Sequence, residues 1–228
     1  MRDNVKRIGL IGGTSPESTL YYYRTFIEIS RERFERNFYP ELVIFSLNFK
    51  KFRELPTWEE KRRYIMEGIR ALECSGAEVI GLSANTPHII FPQLQRESRA
   101  KMVSIIDAVA EEAKRRKFSN LLLLGTKITM TSDFYRKGLE NHGLDVTVPS
   151  EDEIEEINRI IFEELAFGNL ASRDYLLSLL ERYGNEVDAA ILGCTELPIA
   201  IREGDVALPL IDSAKAHIKA LIEYALQK

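Results

Sequence analysis

The chain has 228 residues, of which 45% are hydrophobic and 29% charged, as in a globular protein with one large domain or two small ones. The 31 basic and 35 acidic residues leave a formal net charge of −4 without long blocks of one sign, which argues against a nucleic-acid partner. No stretch approaches the ~20 apolar residues that span a bilayer, so we expect no membrane association. The polar first residues predict no secretory signal, and we expect a cytoplasmic protein.

Short apolar runs alternate with longer amphipathic segments from one end of the chain to the other. The predicted strands are, in chain order, Arg7–Ile11, Glu41–Ser46, Val79–Leu82, Asn120–Leu124, Asp145–Val148 and Asp188–Leu192. The predicted helices are, in the same order, Ser18–Arg36, Thr57–Ser75, Pro87–Arg99, Ile106–Lys117, Ser132–His142, Glu151–Phe167, Ser172–Tyr183 and Ser213–Gln227. This alternation predicts an α/β fold with parallel sheets flanked by helices.

The two halves of the sequence resemble each other. Ile8–Thr14 is similar to Leu121–Thr126, because each is an apolar strand that runs into a glycine turn. Later in each half a strand enters a small polar turn, at Ala84 and, about half a chain further on, at Cys194. Such a repeat predicts two similar structural units.

We therefore predict two similar α/β domains, related by a pseudo-two-fold axis, with the active site in the cleft between them. The N-terminal domain is expected to comprise residues 1–103, and the C-terminal domain residues 104–211. The final helix, residues 212–228, is expected to pack on the N-terminal domain.

The glycine turns are candidate ligand contacts. In open parallel sheets, ligands bind beyond the carboxyl ends of the strands, where helix N-termini expose N–H groups. The first turn carries Thr14 and Ser15, and the second carries Thr126 and Thr129. Their hydroxyls suit a carboxylate ligand, although helix capping is the competing interpretation of such residues.

Cys194 follows the apolar run Asp188–Gly193. A thiol at a strand end that faces a helix N-terminus has its thiolate favoured, so we expect the pKa of Cys194 to fall below about 8.5. Such a thiol is a base or nucleophile at neutral pH. An inert core position is the competing interpretation for a lone cysteine, and it is the one we adopt for Cys74.

Neither a metal site nor a cofactor is expected. The two cysteines and the dispersed histidines His88, His142 and His217 show no metal-binding or disulfide spacing. The glycine turns match neither a dinucleotide fingerprint nor a phosphate-binding loop, and no lysine context points to a bound aldehyde cofactor.

Several segments in order resemble the cofactor-independent aspartate/glutamate racemase family, and the resemblance spans nearly the whole chain. These segments are Ile8–Thr19, Asn85–His88, Leu124–Tyr135, Ile160–Leu165, Gly193–Glu196 and Pro209–Asp212. The resemblance implies two similar α/β domains with the active site between them. Members commonly use two cysteines on opposite faces of the substrate's α-carbon, one removing a proton as thiolate and the other returning one.

On this resemblance Cys194 is the acid/base thiol, and the implied substrate binders are Thr14, Ser15, Asn85, Thr86, Thr126, Thr129 and Thr195. Arg53 is our candidate for the substrate's second carboxylate, because a planar guanidinium grips a carboxylate with two bonds. Lys50 or Lys51 would serve the same purpose, and a solvated arginine is the competing interpretation.

The sequence departs from the family at Ala84, which stands where the first cysteine is expected. Alanine neither gives nor takes a proton. Three functions stay open: a racemase in which water or a nearby group replaces the missing donor, a one-thiol enzyme similar to the related arylmalonate decarboxylases, and an inactive dicarboxylate-binding protein. We favour the racemase, an isomerase acting on an amino acid with a side-chain carboxylate.

The expected partner is therefore a small amino acid or dicarboxylate, and the expected assembly is a homodimer. The family often pairs, and one predicted helix carries Tyr21, Tyr22, Tyr23 and Phe26 as aromatic surface. Burial of these side chains within the monomer is the equal alternative.

Overall fold

The computed structural model describes residues 5–227, which divide into two compact units. The first unit comprises residues 5–105 together with 214–227, and the second comprises residues 106–213. Each unit is built on its own parallel four-stranded sheet flanked by helices. The predicted fold class of parallel sheets flanked by helices is confirmed.

The strands follow the same order in both sheets. They are β1 Ile8–Gly12, β2 Leu42–Ser46, β3 Val79–Leu82, β4 Lys101–Met102, β5 Asn120–Gly125, β6 Asp145–Thr147, β7 Ala189–Gly193 and β8 Leu210–Asp212. The spatial orders are β2-β1-β3-β4 and β6-β5-β7-β8, and every pairing is parallel. The first strand of each unit therefore lies inside its sheet, with its carboxyl end beside that of the third strand.

Helices connect successive strands, as parallel pairing requires. They are α1 Pro16–Arg33, α2 Phe49–Glu54, α3 Trp58–Cys74, α4 Phe91–Glu97, α5 Ile105–Arg115, α6 Lys127–Thr131, α7 Asp133–Glu140, α8 Glu151–Arg159, α9 Arg173–Tyr183, α10 Leu197–Ala200 and α11 Ser213–Leu226. Among residues 5–227, no helix is long and apolar enough to cross a membrane.

Both faces of the first sheet are covered. On one face, β3 packs with the apolar sides of α3 and α4 in a cluster that includes Ile65, Ile69 and Leu94. On the other face, β1 packs with α1 and α11 in a cluster that includes Tyr22 and Ile218. A strand covered on both faces is apolar at every position, which explains why β1 and β3 read as continuous apolar runs.

The second unit follows the same plan. Residues Leu121 to Leu124 of β5 are buried, and so are Ile157 on α8, Leu176 on α9 and Tyr135 on α7. The apolar side chains on one face of each helix thus cover a sheet whose central strands are almost purely aliphatic.

The longest predicted helix of the second unit is wrong beyond its ninth residue. The predicted helix Glu151–Phe167 is α-helical only to Arg159, continues as a π-helical turn to Glu164, and ends as a 3₁₀ turn. The Glu164 carboxylate turns aside to accept hydrogen bonds from the Ser172 N–H and hydroxyl, at 3.0 and 2.8 Å. Such π-helical turns are rare and occur mostly as single turns inside longer helical segments.

The predicted aromatic surface of α1 is wrong for two of its four members. Tyr22 is 1% and Phe26 5% exposed, and both belong to the core that α1 shares with α11. The Tyr22 hydroxyl is 3.0 Å from Nδ1 of His217. Tyr21 is half-buried, and Tyr23 alone of the four is well exposed.

Candidate active site

In the second unit, the carboxyl ends of β5 and β7 bring two polar turns together. The register pairs Gly125 with Gly193, so Thr126 and Cys194 follow neighbouring strand ends. A Cβ on Gly193 would lie 2.7 Å from the carbonyl oxygen of Leu124, so glycine permits this close approach of the two strands. The geometry places the threonine-rich turn and the thiol turn at one edge of the sheet.

The Cys194 thiol is hydrogen-bonded within its own turn. Its Sγ donates to Oε2 of Glu196 at 2.9 Å, and the Thr195 hydroxyl donates to the same oxygen at 3.0 Å. Oε2 of Glu196 therefore accepts two hydrogen bonds within the turn. Cys194 is 9% exposed, and Thr195 and Glu196 are buried beside it.

The expectation of a lowered pKa for Cys194 is wrong. Burial raises the pKa of this thiol well above its usual value, and the adjacent Glu196 carboxylate raises it further through its charge and its hydrogen bond. The backbone N–H groups of Glu196 and Thr195 act in the opposite direction and are outweighed. The following helix, α10, has four residues, too short to give the N-terminal field that the prediction assumed. The resting thiol is therefore protonated at neutral pH.

The threonine turn is organised around the start of α6. The Thr126 hydroxyl caps this helix by accepting from the Thr129 N–H at 3.3 Å, and the two hydroxyl oxygens lie 3.1 Å apart. Thr126 is half-buried, whereas Thr129 is fully buried. Helix capping therefore occupies the Thr126 side chain, and contact of these residues with a ligand stays a prediction.

In the first unit, the carboxyl ends of β1 and β3 carry the remaining candidates. Gly13 has a φ of +80°, and a Cβ there would lie 2.2 Å from the Leu47 carbonyl oxygen, so this tight turn requires glycine. The Gly13 N–H donates to the Thr19 hydroxyl at 2.9 Å and is thus bonded within the turn. Ser15 caps α1, and the buried Thr14 Oγ1 has no hydrogen-bond partner among the described residues.

The turn after β3 lies at the same edge. The Ser18 hydroxyl donates to the Ser83 carbonyl oxygen at 2.5 Å, which joins the start of α1 to the residue before Ala84. Ala84 and Thr86 are half-buried, and Asn85 is buried at the start of the 3₁₀ turn Thr86–Ile90. The structure thus brings Thr14, Ser15 and the Ala84 turn together at one sheet edge.

Arg53 is not brought into either group of turns by a hydrogen bond or an ion pair that the structure records. It lies on α2, a helix that the sequence analysis did not predict, and its side chain is exposed. Its guanidinium lies 5.6 Å from the ring centroid of Phe49. The role in binding a second carboxylate stays a prediction.

Glu196 and His88, which were not among the predicted site residues, make defined contacts within the two turns. Glu196 accepts the thiol hydrogen bond, and His88 bonds to the Ala84 carbonyl through Nδ1 at 3.0 Å. The available signal for Glu196 was its position two residues after a cysteine, close enough for a side-chain contact within the turn. For His88 the signal was its place directly after Asn85-Thr86-Pro87, from which its side chain can orient the turn or reach the ligand.

The arrangement of two α/β units with polar turns at their sheet edges matches a known family. The family model for Asp/Glu/hydantoin racemases matches residues 11–221. The chain belongs to this racemase family. The chain has the α/β fold that the sequence resemblance predicted, and its racemase relatives support an isomerase.

Three similar proteins match this chain over nearly their whole length. The broad-specificity amino-acid racemase RacX of Bacillus subtilis is 24% identical over 220 residues, covering 94% of this chain and 96% of the relative. The structure of an aspartate racemase homologue from Pyrococcus horikoshii OT3 is 56% identical, with a TM-score of 0.90 over 97% of this chain and 100% of that one. The Picrophilus torridus aspartate racemase is 28% identical, with a TM-score of 0.78 over 96% and 94%.

Proposed function

We propose that this protein is a racemase that acts without a cofactor on an amino acid with a side-chain carboxylate, and that the Cys194 thiol moves the α-proton. The observation that carries the proposal is the hydrogen bond of 2.9 Å from the Cys194 Sγ to Glu196. This hydrogen bond makes the Glu196 carboxyl group an acceptor for the thiol proton. The Picrophilus torridus aspartate racemase and the aspartate racemase homologue from Pyrococcus horikoshii support an acidic amino acid as substrate.

The Cys194 thiol gives its proton to the Glu196 carboxylate, and the resulting thiolate removes the proton from the substrate's α-carbon. An α-proton is far less acidic than a thiol, so the carbanion must be stabilised by N–H and hydroxyl donors around the substrate carboxylate. Thr14, Ser15, Asn85, Thr86, Thr126, Thr129 and Thr195 are the proposed donors, and Arg53 is proposed for the second carboxylate.

The resemblance assigns the opposite face of the α-carbon to the position of Ala84, which carries no proton. Reprotonation by Cys194 restores the starting enantiomer, but with a solvent proton, because the thiol exchanges its proton with water. Inversion requires water or another group on the second face. We therefore propose that α-proton exchange in this enzyme is much faster than racemisation.

A second candidate is a one-thiol decarboxylase. The observation that favours it is the raised pKa of Cys194, because a thiol that rests protonated is ready to donate a proton to a carbanion without prior activation. In that reaction the loss of carbon dioxide leaves the carbanion, and Cys194 protonates it on one face. An inactive dicarboxylate-binding protein is the third possibility, because Ala84 supplies no proton.

We also propose a homodimer in the cytoplasm. Tyr22 and Phe26 are buried and cannot contribute to a dimer interface. Leu20 and Tyr23, however, leave exposed apolar surface on α1. A functional free thiol suits a reducing compartment. Sedimentation of the wild type tests the dimer, with Tyr23→Lys expected to weaken it.

The experiment compares the rate of α-proton exchange with the rate at which the configuration of the α-carbon is inverted. L-aspartate and L-glutamate are incubated with enzyme in deuterated water, and α-deuteration is followed by NMR while chirality is followed by chiral chromatography. We expect deuteration to exceed inversion at least ~10-fold, and Ala84→Cys to raise inversion towards the exchange rate by supplying the second acid. Release of carbon dioxide from malonate analogues without exchange would favour the decarboxylase, and binding without either reaction would favour the inactive protein.

A further inference from the structure

The first unit contains a buried pair of histidines that the proposed chemistry does not use. His88 lies in the turn after β3, and His217 lies on α11. Both are buried, and their ring centroids are 6.0 Å apart in an edge-to-face arrangement. Burial lowers the pKa of His88 to about 3 and that of His217 to about 4, so both rings are neutral at physiological pH.

The hydrogen-bond partners of His88 determine its tautomer. Its Nε2 is 3.0 Å from the Ile105 backbone N–H, which can only donate, so Nε2 is the acceptor. The remaining ring nitrogen, Nδ1, carries the proton and donates to the Ala84 carbonyl oxygen at 3.0 Å. The ring also stacks on Phe91, with centroids 5.1 Å apart and planes inclined by 9°.

His217 has the opposite tautomer by the same reasoning. Its Nε2 lies 2.9 Å from the Val103 carbonyl oxygen, which can only accept, so Nε2 carries the proton. Its Nδ1 accepts from the Tyr22 hydroxyl at 3.0 Å. The two histidines therefore hold the segment from Val103 to Ile105, one at its carbonyl and the other at its amide.

We infer that His88 is a positioning residue that fixes the Ala84 turn relative to the segment from Val103 to Ile105. The peptide joining Ala84 to Asn85 is planar, so a hydrogen bond to its carbonyl oxygen fixes the orientation of the whole peptide. His88 anchors this peptide to Ile105 through one rigid ring, itself held by Phe91 and His217. The role concerns the turn whose residues Asn85 and Thr86 we propose as substrate donors, and in that respect it rests on the proposed function.

Two conservative variants separate the two hydrogen bonds of His88. In His88→Asn the amide nitrogen occupies the place of Nδ1 and keeps the bond to Ala84. In His88→Gln the amide oxygen reaches the place of Nε2 and keeps the bond to Ile105. Each variant loses one buried hydrogen bond, so similar decreases in melting temperature are expected. His142→Asn and His142→Gln are the matched controls, because His142 is half-buried and bonds to Asp107 on the second unit.

The inference predicts different kinetics at similar stability. We expect His88→Gln to lower the turnover number of α-proton exchange on the order of 10- to 100-fold, as displacement of a positioning group does. We expect His88→Asn to recover most of that loss, and both control variants to match the wild type. Equal losses in the two His88 variants, in proportion to their melting temperatures, would reduce His88 to a structural residue and overturn the inference.

Nitrogen-15 NMR of the wild type provides a readout that does not depend on activity. The inference requires the Nδ1-protonated tautomer for His88 and the Nε2-protonated tautomer for His217. It also requires faster amide hydrogen exchange at Asn85 and Thr86 in His88→Gln than in His88→Asn. An Nε2-protonated His88, or unchanged amide exchange, would overturn it. A wild type without α-proton exchange would instead overturn the proposed function, and these spectra would still decide the role of His88.

Discussion

At the scale of single residues, the proposed chemistry depends on the hydrogen bond between Cys194 and Glu196. The sequence places a thiol and a carboxyl group two residues apart, but it does not show that they touch or that both are buried. Both facts reverse the expected direction of the thiol pKa, because a neighbouring negative charge and a dry environment each disfavour the thiolate. The burial and the protonation state of Cys194 were thus not predictable from the sequence, and its catalytic role stays a prediction.

Replacement of Glu196 by glutamine is expected to change the acidity of the Cys194 thiol and the rate of α-proton exchange in opposite directions. Glu196→Gln removes the charge that raises the Cys194 pKa, so we expect the thiol to become more acidic, although burial still keeps its pKa high. We also expect α-proton exchange to fall on the order of 100-fold or more, because the acceptor of the thiol proton is lost. The pH dependence of Cys194 alkylation in a Cys74→Ser background measures the first effect.

The control for this variant is Glu163→Gln, a change at an exposed glutamate of the same unit. It is expected to alter neither the alkylation profile nor exchange. Faster exchange in Glu196→Gln would contradict the role of Glu196 as proton acceptor, since it would show that a more acidic thiol is sufficient.

At the scale of elements, long periodic segments were predictable and short ones were not. β3 has the predicted bounds, Val79–Leu82, because its apolar run is flanked by polar residues. β4 and β8 have two and three residues, too few to show any periodicity, and their place is set by pairing with β3 and β7. The helix α6 was not predicted either, because a segment of five residues that includes two threonines is typical of a turn.

Gly81 on β3 shows an element-scale constraint that the sequence conceals. A Cβ at this position would lie 2.9 Å from both Cε1 of His217 and Cδ1 of Leu221, so α11 packs directly on the backbone of the strand. We expect Gly81→Ala to destabilise the protein by about 1–3 kcal/mol, because side chains in this packed layer must shift. Urea unfolding measures the loss.

Gly184→Ala is the comparison variant for Gly81→Ala. Its added Cβ would meet nothing closer than the Glu181 carbonyl oxygen at 3.2 Å, at the end of α9. A loss at Gly184 as large as that at Gly81 would show that the close packing of α11 is not the cause.

At the scale of the whole molecule, the buried histidines make stability depend on pH. The unfolded chain protonates histidine near pH 6.5, whereas His88 and His217 in the folded protein have pKa values of about 3 and about 4. Between these pH values the unfolded state binds more protons than the folded state. The free energy of unfolding therefore falls as the pH is lowered from about 6.5, and this decrease is complete below about pH 3. Each pKa unit corresponds to ~1.4 kcal/mol, which makes the total loss several kcal/mol.

Thermal unfolding between pH 7 and pH 4 tests this dependence. His217→Gln removes one of the two buried imidazoles, so its melting temperature is expected to decline less steeply with acid than that of the wild type. His142→Gln keeps both buried rings and should retain the steep decline. A wild-type melting temperature that stays constant from pH 7 to pH 4 would contradict the assignment of neutral, buried histidines.

The central claim is that the Cys194 sulfur moves the α-proton, and α-deuteration in deuterated water tests it most directly. Wild type, Cys194→Ala and the control Cys74→Ala are compared with aspartate and glutamate of both configurations, after circular dichroism has shown that all three are folded. We expect exchange in the wild type and in Cys74→Ala, and a loss on the order of 1,000-fold in Cys194→Ala. Undiminished exchange in the Cys194→Ala protein would contradict the account.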